Sequence, residues 1–513
     1  MLTSVVLCER ADHVRRARAQ APDAALVALT PEATWVCQQE GLLYRKLDEF
    51  CSDAGINELA EATLGREYRW AKWLDAALQE AVPEFAAERF EPARAHLLLL
   101  RRIVDNFVLP ACYLQSFVAA AQPRRVIVFE RPPFCPDLMA APRERPLFAL
   151  LAPVIAAGQA EVVVWPEAPD APGIQETTGT AVRPRRILAR RIARRLQIEL
   201  SFAGRNLVAR RGRVAWIGHE YGLVFVVPHL QRAGIAVIRP SPSVDFGARH
   251  QTEAQHVRAL LDQHWPALSE HSEFWQPLDA VSPALRPSAT PLLRQWLLER
   301  VPQAWAEFLG AREWLRQGRF VAVMGVDAPA AGLAGSIYMA AGSLGIPRIL
   351  NMHMDGGMCV DFKAQDSVGP VQGDIYLVSS SEDIEYFEGF NERANAFRRA
   401  KVVPVGSPRL EALRTARNER HAAALRRRIL GRERKPLILY VPTNFVGCYR
   451  YFNEGNISDV GYFELQQRIL RCCAEFPNVR VVYKPFPGEY SAGPVGEFIR
   501  RSVPNGIAID TRL

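Results

Sequence analysis

Alternating apolar and polar blocks run along most of this chain and predict repeated strand–helix–strand units. The clearest block begins with an apolar run, Phe320 to Met324, followed by a helix of small residues from about Pro329 to Leu344. The chain then turns at Gly345 into a second apolar run, Arg348 to Met352. A strand, a helix and a strand in this order form a βαβ unit of a parallel sheet. Polar residues follow the second strand, where parallel sheets bind ligands.

Short apolar runs bounded by turn residues predict further strands on both sides of this unit. They are Leu2 to Cys8, Ala24 to Leu29, Arg125 to Phe129, Ala160 to Trp165, Val214 to Ile217, Leu223 to Val227, Ile235 to Ile238, Gly373 to Ser379, Lys401 to Val405, Leu437 to Val441, Val479 to Tyr483 and Gly506 to Asp510. Helical patterns at about 36–121, 253–318, 410–430, 463–476 and 495–502 separate them. Five tryptophans between 265 and 314 are expected to anchor helices in the core. This alternation predicts an α/β fold.

Shifts in composition divide the 513 residues into five segments. We predict an N-terminal α/β unit (1–170), a linker with a basic helix (171–212), a Rossmann-like domain (213–415), a connector (416–435) and a second Rossmann-like domain (436–513). The last segment contains three predicted strands, whereas an open α/β sheet typically has about five or six. We therefore expect this last domain to be truncated relative to a full one.

Composition and cysteine usage narrow the functional class. Hydrophobic residues make up 49% of the chain and charged residues 23%, which is typical of globular proteins. The nine cysteines include no Cys-x-x-Cys pair, so we expect reduced structural thiols in a cytosolic protein. The first residues predict a strand rather than a signal peptide. The most apolar stretch, 95–121, is interrupted by charged residues and Pro110, so no membrane span is predicted.

The formal net charge of +8 matters mainly where it is concentrated, at Arg183 to Leu200. On a helical wheel Leu188, Ile192 and Leu196 share one face, and arginines occupy the opposite one. Such a helix can lie on an anionic membrane surface, or it can pack on the protein with a solvated basic face. Both interpretations stay open. Nucleic-acid binding is not predicted, because no zinc ligands, ribonucleoprotein motif or helix-turn-helix accompany the arginines.

Polar side chains directly after predicted strands are the candidates for chemistry. His353 and Asp355 follow the second strand of the central βαβ unit, and Gly356 and Gly357 come next. A histidine has a pKa suited to general-base catalysis near neutral pH. Two further cleft candidates occupy similar places: Glu130 after the strand Arg125 to Phe129, and Glu220 between two predicted strands. For these last two residues an ordinary surface turn is the favoured interpretation.

Several common signatures are missing from the chain. No Gly-x-Gly-x-x-Gly follows a strand, and there is no Walker lysine motif. Asp366 and Asp374 are too far apart for an Asp-x-Asp metal site. We therefore predict neither a metal nor an organic cofactor.

The order of motifs in the carboxy-terminal part has a recognisable likeness. The histidine–glycine segment is followed by DIYLVSS from Asp374, KVVPVGSPRLEAL from Lys401, LILYVPT from Leu437 and VVYKPFPGE from Val481. This set resembles the GT-B glycosyltransferases of cell-surface polysaccharide assembly. Within them it looks closest to the capsule Kdo and sialic acid polymer transferases and the CDP-glycerol glycerophosphotransferases. The resemblance covers about Phe320 to Leu513 and does not involve the chain before it.

This resemblance implies a fold, a reaction and a set of residues. The fold is two Rossmann-like domains facing a cleft, with 213–415 on the acceptor side and 436–513 binding the donor. His353 or Asp355 would act as the base. The turn Gly406-Ser407-Pro408 matches a hinge between the domains. The implied donor-binding residues are Thr443, Asn444, Lys484 and Glu489. Phe486 stands where the group has a histidine, which removes one phosphate contact.

The predicted function is thus transfer of a sugar, or of a sugar or glycerol phosphate, from a nucleotide donor to a surface polysaccharide or its lipid-linked precursor. The expected location is the cytoplasm, on the inner face of the plasma membrane if residues 183–200 bind anionic lipid. Two alternatives stay open. One is a nonhydrolysing nucleotide-sugar 2-epimerase, and the other is a non-catalytic assembly protein that keeps the GT-B-like fold.

Overall fold

Parallel β-sheets separated by helices make up the fold, which confirms the α/β prediction. The computed structural model describes residues 3–51, 53–130, 148–166, 211–217, 226–240, 244–326, 333–351, 371–385, 387, 397, 400–407, 410, 416–431, 435–442, 445, 458–485 and 493–508. Three sheets lie within these ranges, and every strand pair in them is parallel.

The first sheet contains five strands in the order β3-β2-β1-β4-β5. They are β1 Ser4–Cys8, β2 Ala25–Ala28, β3 Tyr44–Arg45, β4 Arg125–Phe129 and β5 Glu161–Trp165. Its helices are α1 Ala11–Gln20, α2 Pro31–Gln39, α3 Asp53–Ala81, α4 Pro83–Glu88, α5 Pro92–Ala95, α6 Leu97–Ala121 and α7 Phe148–Ile155, with a 3₁₀ turn at Leu47–Phe50. Apolar strands such as β1, which is buried on both faces, explain the continuous hydrophobic runs of the sequence. The strand order reverses at β1: β2 and β3 lie on one side of it, and β4 and β5 lie on the other. β1 and β4 pair directly.

The second sheet contains six strands in the order β7-β6-β8-β9-β10-β11. They are β6 Gly212–Trp216, β7 Ile235–Ile238, β8 Ala322–Val326, β9 Arg348–Asn351, β10 Ile375–Val378 and β11 Lys401–Pro404. The helices α8 Val227–Arg232 and α13 Leu333–Ser343 connect strands of this sheet. β8, α13 and β9 form the predicted central βαβ unit, and β8 pairs with β9 in parallel. The reversal of strand order here lies between β6 and β8.

The third sheet is smaller, with the order β12-β13-β14. Its elements are β12 Leu437–Tyr440, α15 Asp459–Ala474, β13 Arg480–Tyr483, α16 Pro494–Ser502 and β14 Gly506–Ala508. A separate helix, α14 Ala416–Leu430, precedes it. The side chain of Ser458 begins α15 by accepting the backbone N–H of Gly461 at 3.0 Å, which is an N-cap. The predicted alternation of strands and helices after Pro436 is therefore confirmed.

Helices from two distant parts of the chain join the first two sheets. They are α3 to α6, already given, and α9 Gln251–Glu270, α10 Ser272–Asp279, α11 Arg286–Gln295, a π-helical turn Trp296–Arg300 and α12 Val301–Gly318. Trp275, Trp296 and Trp305 are buried among them, which confirms the expected role of the tryptophans. One contiguous hydrophobic core extends from Val5 in the first sheet to Ala400 beside the second. The helices thus form a shared layer rather than a separate domain.

Helix α6 is long and rich in apolar residues. Among the described helices, its part Leu99–Ala121 is long and apolar enough to cross a membrane. In the fold, 65% of its most apolar window is buried against other elements. A core helix of a large α/β unit meets the same criteria, and Pro110 lies inside it.

Two predictions of local structure are wrong. The helical pattern expected from about residue 36 is interrupted, because Gly41 has a φ of +64° and ends the helical run after α2. β3 and a 3₁₀ turn follow it. Val227, the last residue of the strand expected at Leu223 to Val227, instead begins helix α8. Pro228 in the first turn favours the helix there, because its fixed φ suits a helix start. Residues 218–225 lie outside the described ranges.

Candidate functional site

The carboxyl ends of parallel strands define where a site is expected. In the second sheet the reversal point lies between β6 and β8, beside the central βαβ unit. One candidate, Glu220, follows β6, and the others follow β9: His353, Asp355, Gly356 and Gly357. All five lie outside the described residues. Asn351 is the last described residue before His353 and ends β9, which pairs with both β8 and β10. Strand β9, which precedes His353 in the sequence, is therefore an interior strand of the sheet.

Asp374 has a structural role at the opposite edge of the same sheet. Its carboxylate accepts hydrogen bonds from the backbone N–H of Arg348 at 2.9 Å and from the Arg348 guanidinium at 2.9 and 3.0 Å. Arg348 begins β9, and Asp374 precedes β10. The pair therefore fastens the amino ends of two neighbouring strands. The contacts of Asp374 with Arg348 give this carboxylate a structural role.

The predicted hinge turn begins with the conformation that its glycine allows. Gly406 has a φ of +72°, in the left-handed region that side-chain-bearing residues rarely adopt. Ser407 follows it, and its Oγ accepts the backbone N–H of Leu410 at 3.2 Å. This contact is of the kind by which a serine side chain stabilises a turn. Pro408 is outside the described ranges.

Lys484 is the donor-site candidate that the structure places. It directly follows β13, the middle strand of the third sheet, and its backbone N–H donates to the carbonyl of Tyr440 at 2.9 Å. Its side chain is partly exposed at the carboxyl edge of the sheet. An ammonium group in this place can neutralise an anionic ligand beyond the strand ends. The other three candidates, Thr443, Asn444 and Glu489, lie outside the described residues.

Glu130 lies at the reversal point of the first sheet. It is exposed and follows β4, and its backbone N–H donates to the carbonyl of Trp165 at 2.7 Å. Across the edge, Glu9 follows β1 and is almost fully buried. The structure therefore brings two carboxylate-bearing residues to adjoining strand ends. Only Glu130 was among the predicted candidates.

A histidine that the sequence analysis missed lies beside this edge. His13 is 2% exposed and stacks on Phe129, with ring centroids 3.7 Å apart. Its Nδ1 accepts the backbone N–H of Glu9 at 3.3 Å, so the neutral ring carries its proton on Nε2. Burial lowers the pKa of His13 to about 4. Nε2 has no hydrogen-bond partner in the described structure.

The surroundings of His13 define what this edge can bind. The backbone N–H of Ala11 at the start of α1 donates to the carboxylate of Glu32 at 2.9 Å. This helix start is therefore already capped by an anion, which disfavours a phosphate there. The guanidinium of Arg16 lies 5.5 Å from the ring centroids of both Phe129 and Trp165. Carboxylates and a neutral imidazole suit a ligand with hydroxyl groups better than a diphosphate.

His13 and Glu9 were not predicted, although they follow the first strand of the chain. The signal that could have found them is the one that identified Glu130, namely polar residues directly after an apolar strand. The segment Glu9-Arg10-Ala11-Asp12-His13 follows β1 in this way. Arg10 and Asp12 pair with each other at 2.6 and 2.9 Å.

Three of the described cysteines lack the properties of a reactive thiol, and the described ranges contain no candidate metal site. Cys8, Cys37 and Cys112 are free thiols. Burial raises the pKa of Cys37 and Cys112 to about 12, which makes them unreactive at neutral pH. No group of three or more histidine, cysteine or acidic side chains within the described residues could hold a metal ion.

Comparisons with known proteins add no family assignment. A scan of the chain against protein-family models finds no match, and a search of curated proteins finds no similar sequence. A functional proposal for this chain therefore depends on its own residues and on the geometry of its sheets.

Proposed function

We propose that this chain is a GT-B-like glycosyltransferase that uses a nucleotide-activated donor. The observation that carries the proposal is the position of Lys484 at the carboxyl end of the middle strand of a parallel sheet. That sheet follows a second parallel sheet, whose strand β9 leads to His353. The motif order of the sequence supports the proposal, because the implied acceptor-side residues follow β9 and the implied donor-side residues follow β12 and β13.

In the proposed reaction the two sheets contribute different groups. His353, or Asp355 beside it, takes the proton from an acceptor hydroxyl. The acceptor oxygen then attacks the anomeric carbon of a sugar donor, or the terminal phosphorus of a glycerol-phosphate donor. The bond to the nucleotide breaks, the nucleoside mono- or diphosphate leaves, and Lys484 neutralises its negative charge. Thr443, Asn444 and Glu489 bind the rest of the donor. The acceptor is a surface polysaccharide or its lipid-linked precursor.

The test combines binding and turnover on the full chain. The protein is incubated with UDP-, GDP- and CMP-activated sugars and with CDP-glycerol, together with an oligosaccharide acceptor. We expect one donor class to bind in calorimetry and to yield an extended acceptor in mass spectrometry. Absence of binding by every donor would overturn the proposal. Conversion of a UDP-sugar to its epimer without acceptor would show the 2-epimerase reaction instead.

A further inference from the structure

The third sheet and its helices, residues 435–508, contact helix α2 and the residues after it in the first sheet's unit. Within the described ranges, the hydrogen bonds and ion pairs between side chains of this unit and residues before 411 go to residues 35–48. These residues belong to the end of α2, to β3 and to the 3₁₀ turn after it. We call residues 35–48 the docking surface and 435–508 the C-terminal unit.

An aromatic anchor lies at the centre of the contact. Trp35 on α2 packs edge-on against Phe463 of α15 and Phe498 of α16, with ring centroids 6.4 and 6.2 Å apart. Its Nε1–H donates to Glu497 at 3.2 Å. The guanidinium of Arg501 lies 5.8 Å from the Trp35 ring. Trp35 thus joins the hydrophobic cluster of the C-terminal unit although it belongs to the first sheet's layer.

Polar side chains surround the anchor. Gln38 and Gln467 exchange two amide hydrogen bonds, at 2.7 and 3.2 Å. Glu464 accepts from the hydroxyl of Tyr44 at 2.7 Å and from the ammonium of Lys46 at 2.6 Å. Two more contacts complete the set: Ser458 donates to Asp48, and Arg501 donates to Gln39. Groups of this kind regain hydrogen bonds in water when they separate, so the interface resembles a transient rather than a permanent one.

The contacts also fix the direction of the unit. Along α2, Trp35 meets Glu497 and Gln39 meets Arg501, so α2 and α16 run the same way. Phe463 and Gln467 of α15 meet α2 in the same order. Because helices in both units run opposite to their strands, the first and third sheets direct their carboxyl ends to the same side of the molecule. The docking surface therefore sets the orientation of Lys484.

The described part of the covalent link to the C-terminal unit includes one helix and two glycines in the left-handed region. Helix α14 lies between Gly406 and Gly431, whose φ angles are +72° and +62°. Its described side chains between 419 and 428 are exposed. Hinges in domain motions are usually a few residues at the ends of elements, and left-handed glycines suit that role.

We propose that the docking surface holds the C-terminal unit reversibly and that the unit swings on α14 when the contact opens. The N-terminal α/β unit is then a positioning module for the residues around Lys484. This proposal is independent of which reaction the protein performs, because its readout is the arrangement of the units.

The test compares four variants of the full chain by small-angle X-ray scattering and hydrogen exchange. Trp35→Ala removes the anchor, and Lys46→Glu places two carboxylates together. We expect both to enlarge the particle and to accelerate amide exchange in residues 35–48 and 459–470 at least about tenfold. Restoration of the compact particle by Lys46→Glu combined with Glu464→Lys is the expected rescue. The matched control is Arg125→Glu, which breaks an exposed ion pair to Glu161 away from the docking surface and should change neither measurement.

Two outcomes would overturn the proposal. One is an unchanged scattering profile for both Trp35→Ala and Lys46→Glu, which would show that other contacts hold the unit. The other is loss of amide protection in strand β13 of the Trp35→Ala variant. That result would show that α2 is an integral part of the core of the C-terminal unit, rather than a surface to which the folded unit docks. Preserved protection in β13 together with an enlarged particle supports the reversible contact.

Discussion

At the scale of single residues, His13 shows how burial converts a titratable group into a pH-dependent contribution to stability. Its pKa is lowered to about 4 in the fold, against 6.5 for an ordinary histidine. The unfolded chain therefore takes up a proton below pH 6.5, whereas the folded chain does not until about pH 4. The stability linked to His13 is complete above pH 6.5 and is lost as the pH falls towards 4, by up to about 3 kcal/mol.

This linkage can be measured by urea unfolding at pH 7 and pH 5. In His13→Phe, the ring can still stack on Phe129, but no proton is bound, so we expect a smaller loss of stability between the two pH values. His264→Gln is the matched control, because His264 is exposed on α9 and its replacement should leave the loss unchanged. Burial also lowers the pKa of His96, so part of the acid sensitivity will remain. If His13→Phe and the unchanged protein lose the same stability between pH 7 and pH 5, the assignment of this pH dependence to His13 is wrong.

A second residue-scale prediction separates the proposed base from the proposed donor contact. His353→Ala should lower the turnover number by at least about a hundredfold and leave donor affinity unchanged, because a base acts on the acceptor hydroxyl. Lys484→Ala should weaken donor binding, because the proposed role of its ammonium is to contact the donor phosphate. Steady-state kinetics and calorimetry with the donor found active distinguish the two effects. Unchanged turnover in His353→Ala would leave Asp355 as the remaining candidate for the base.

At the scale of elements, the period of apolar residues predicted most strands within one or two residues of their observed bounds. β4 and β7 are matched at both ends, because each is a short apolar run between turn residues. β3 was missed because two residues cannot show an alternating pattern. The docking of α2 against α15 and α16 was also missed. Trp35 looks like a core residue of its own unit, and its partners lie more than four hundred positions away, so no local pattern connects them.

The carboxyl-edge rule predicted part of the candidate site for a physical reason. Parallel strands bring their following residues to one edge, so Glu130 was a candidate from the strand pattern alone, whereas Lys484 became one through the family resemblance. Glu9 and His13 also follow a strand, β1, but they belong to no sequence motif that marks a site. Their burial and the stacking of His13 on Phe129 depend on the pairing of β1 with β4. That pairing joins residues more than a hundred positions apart, and the sequence does not show it directly.

The basic segment 183–200 carries an element-scale prediction that the structure leaves open, since it lies outside the described residues. If it is an interfacial helix, liposomes containing phosphatidylglycerol should sediment the protein, and neutral phosphatidylcholine liposomes should not. Replacing Arg190, Arg191, Arg194 and Arg195 by glutamate should release it. A control with the same change in charge replaces four exposed arginines elsewhere: Arg18, Arg124, Arg249 and Arg258. Sedimentation of the first variant equal to that of the unchanged protein would favour a helix packed on the protein surface.

At the scale of the whole molecule, the first two sheets share one core, although composition divides the sequence at 171–212. The cluster contains Val5 and Val128 of the first sheet and Val323 and Leu350 of the second. Between them lie the long helices, including fully buried Trp296. Cooperative unfolding follows contiguous cores rather than sequence segments, so residues 4–404 should unfold as one unit.

Trp296→Ala tests this unity. Trp296 is fully buried, and its Nε1–H donates to Nδ1 of His96 at 3.2 Å. Its removal should cost about 3–5 kcal/mol. Hydrogen exchange should then show the same loss of protection in β1 and β4 as in β8 and β9, because both sheets depend on this core. Phe476→Ala is the control, since Phe476 is 54% exposed in the C-terminal unit and its loss should change stability by less than about 0.5 kcal/mol. If β1 and β4 keep their full protection in Trp296→Ala while β8 and β9 lose it, the two sheets unfold separately, and the division expected from composition describes the molecule better than its continuous core.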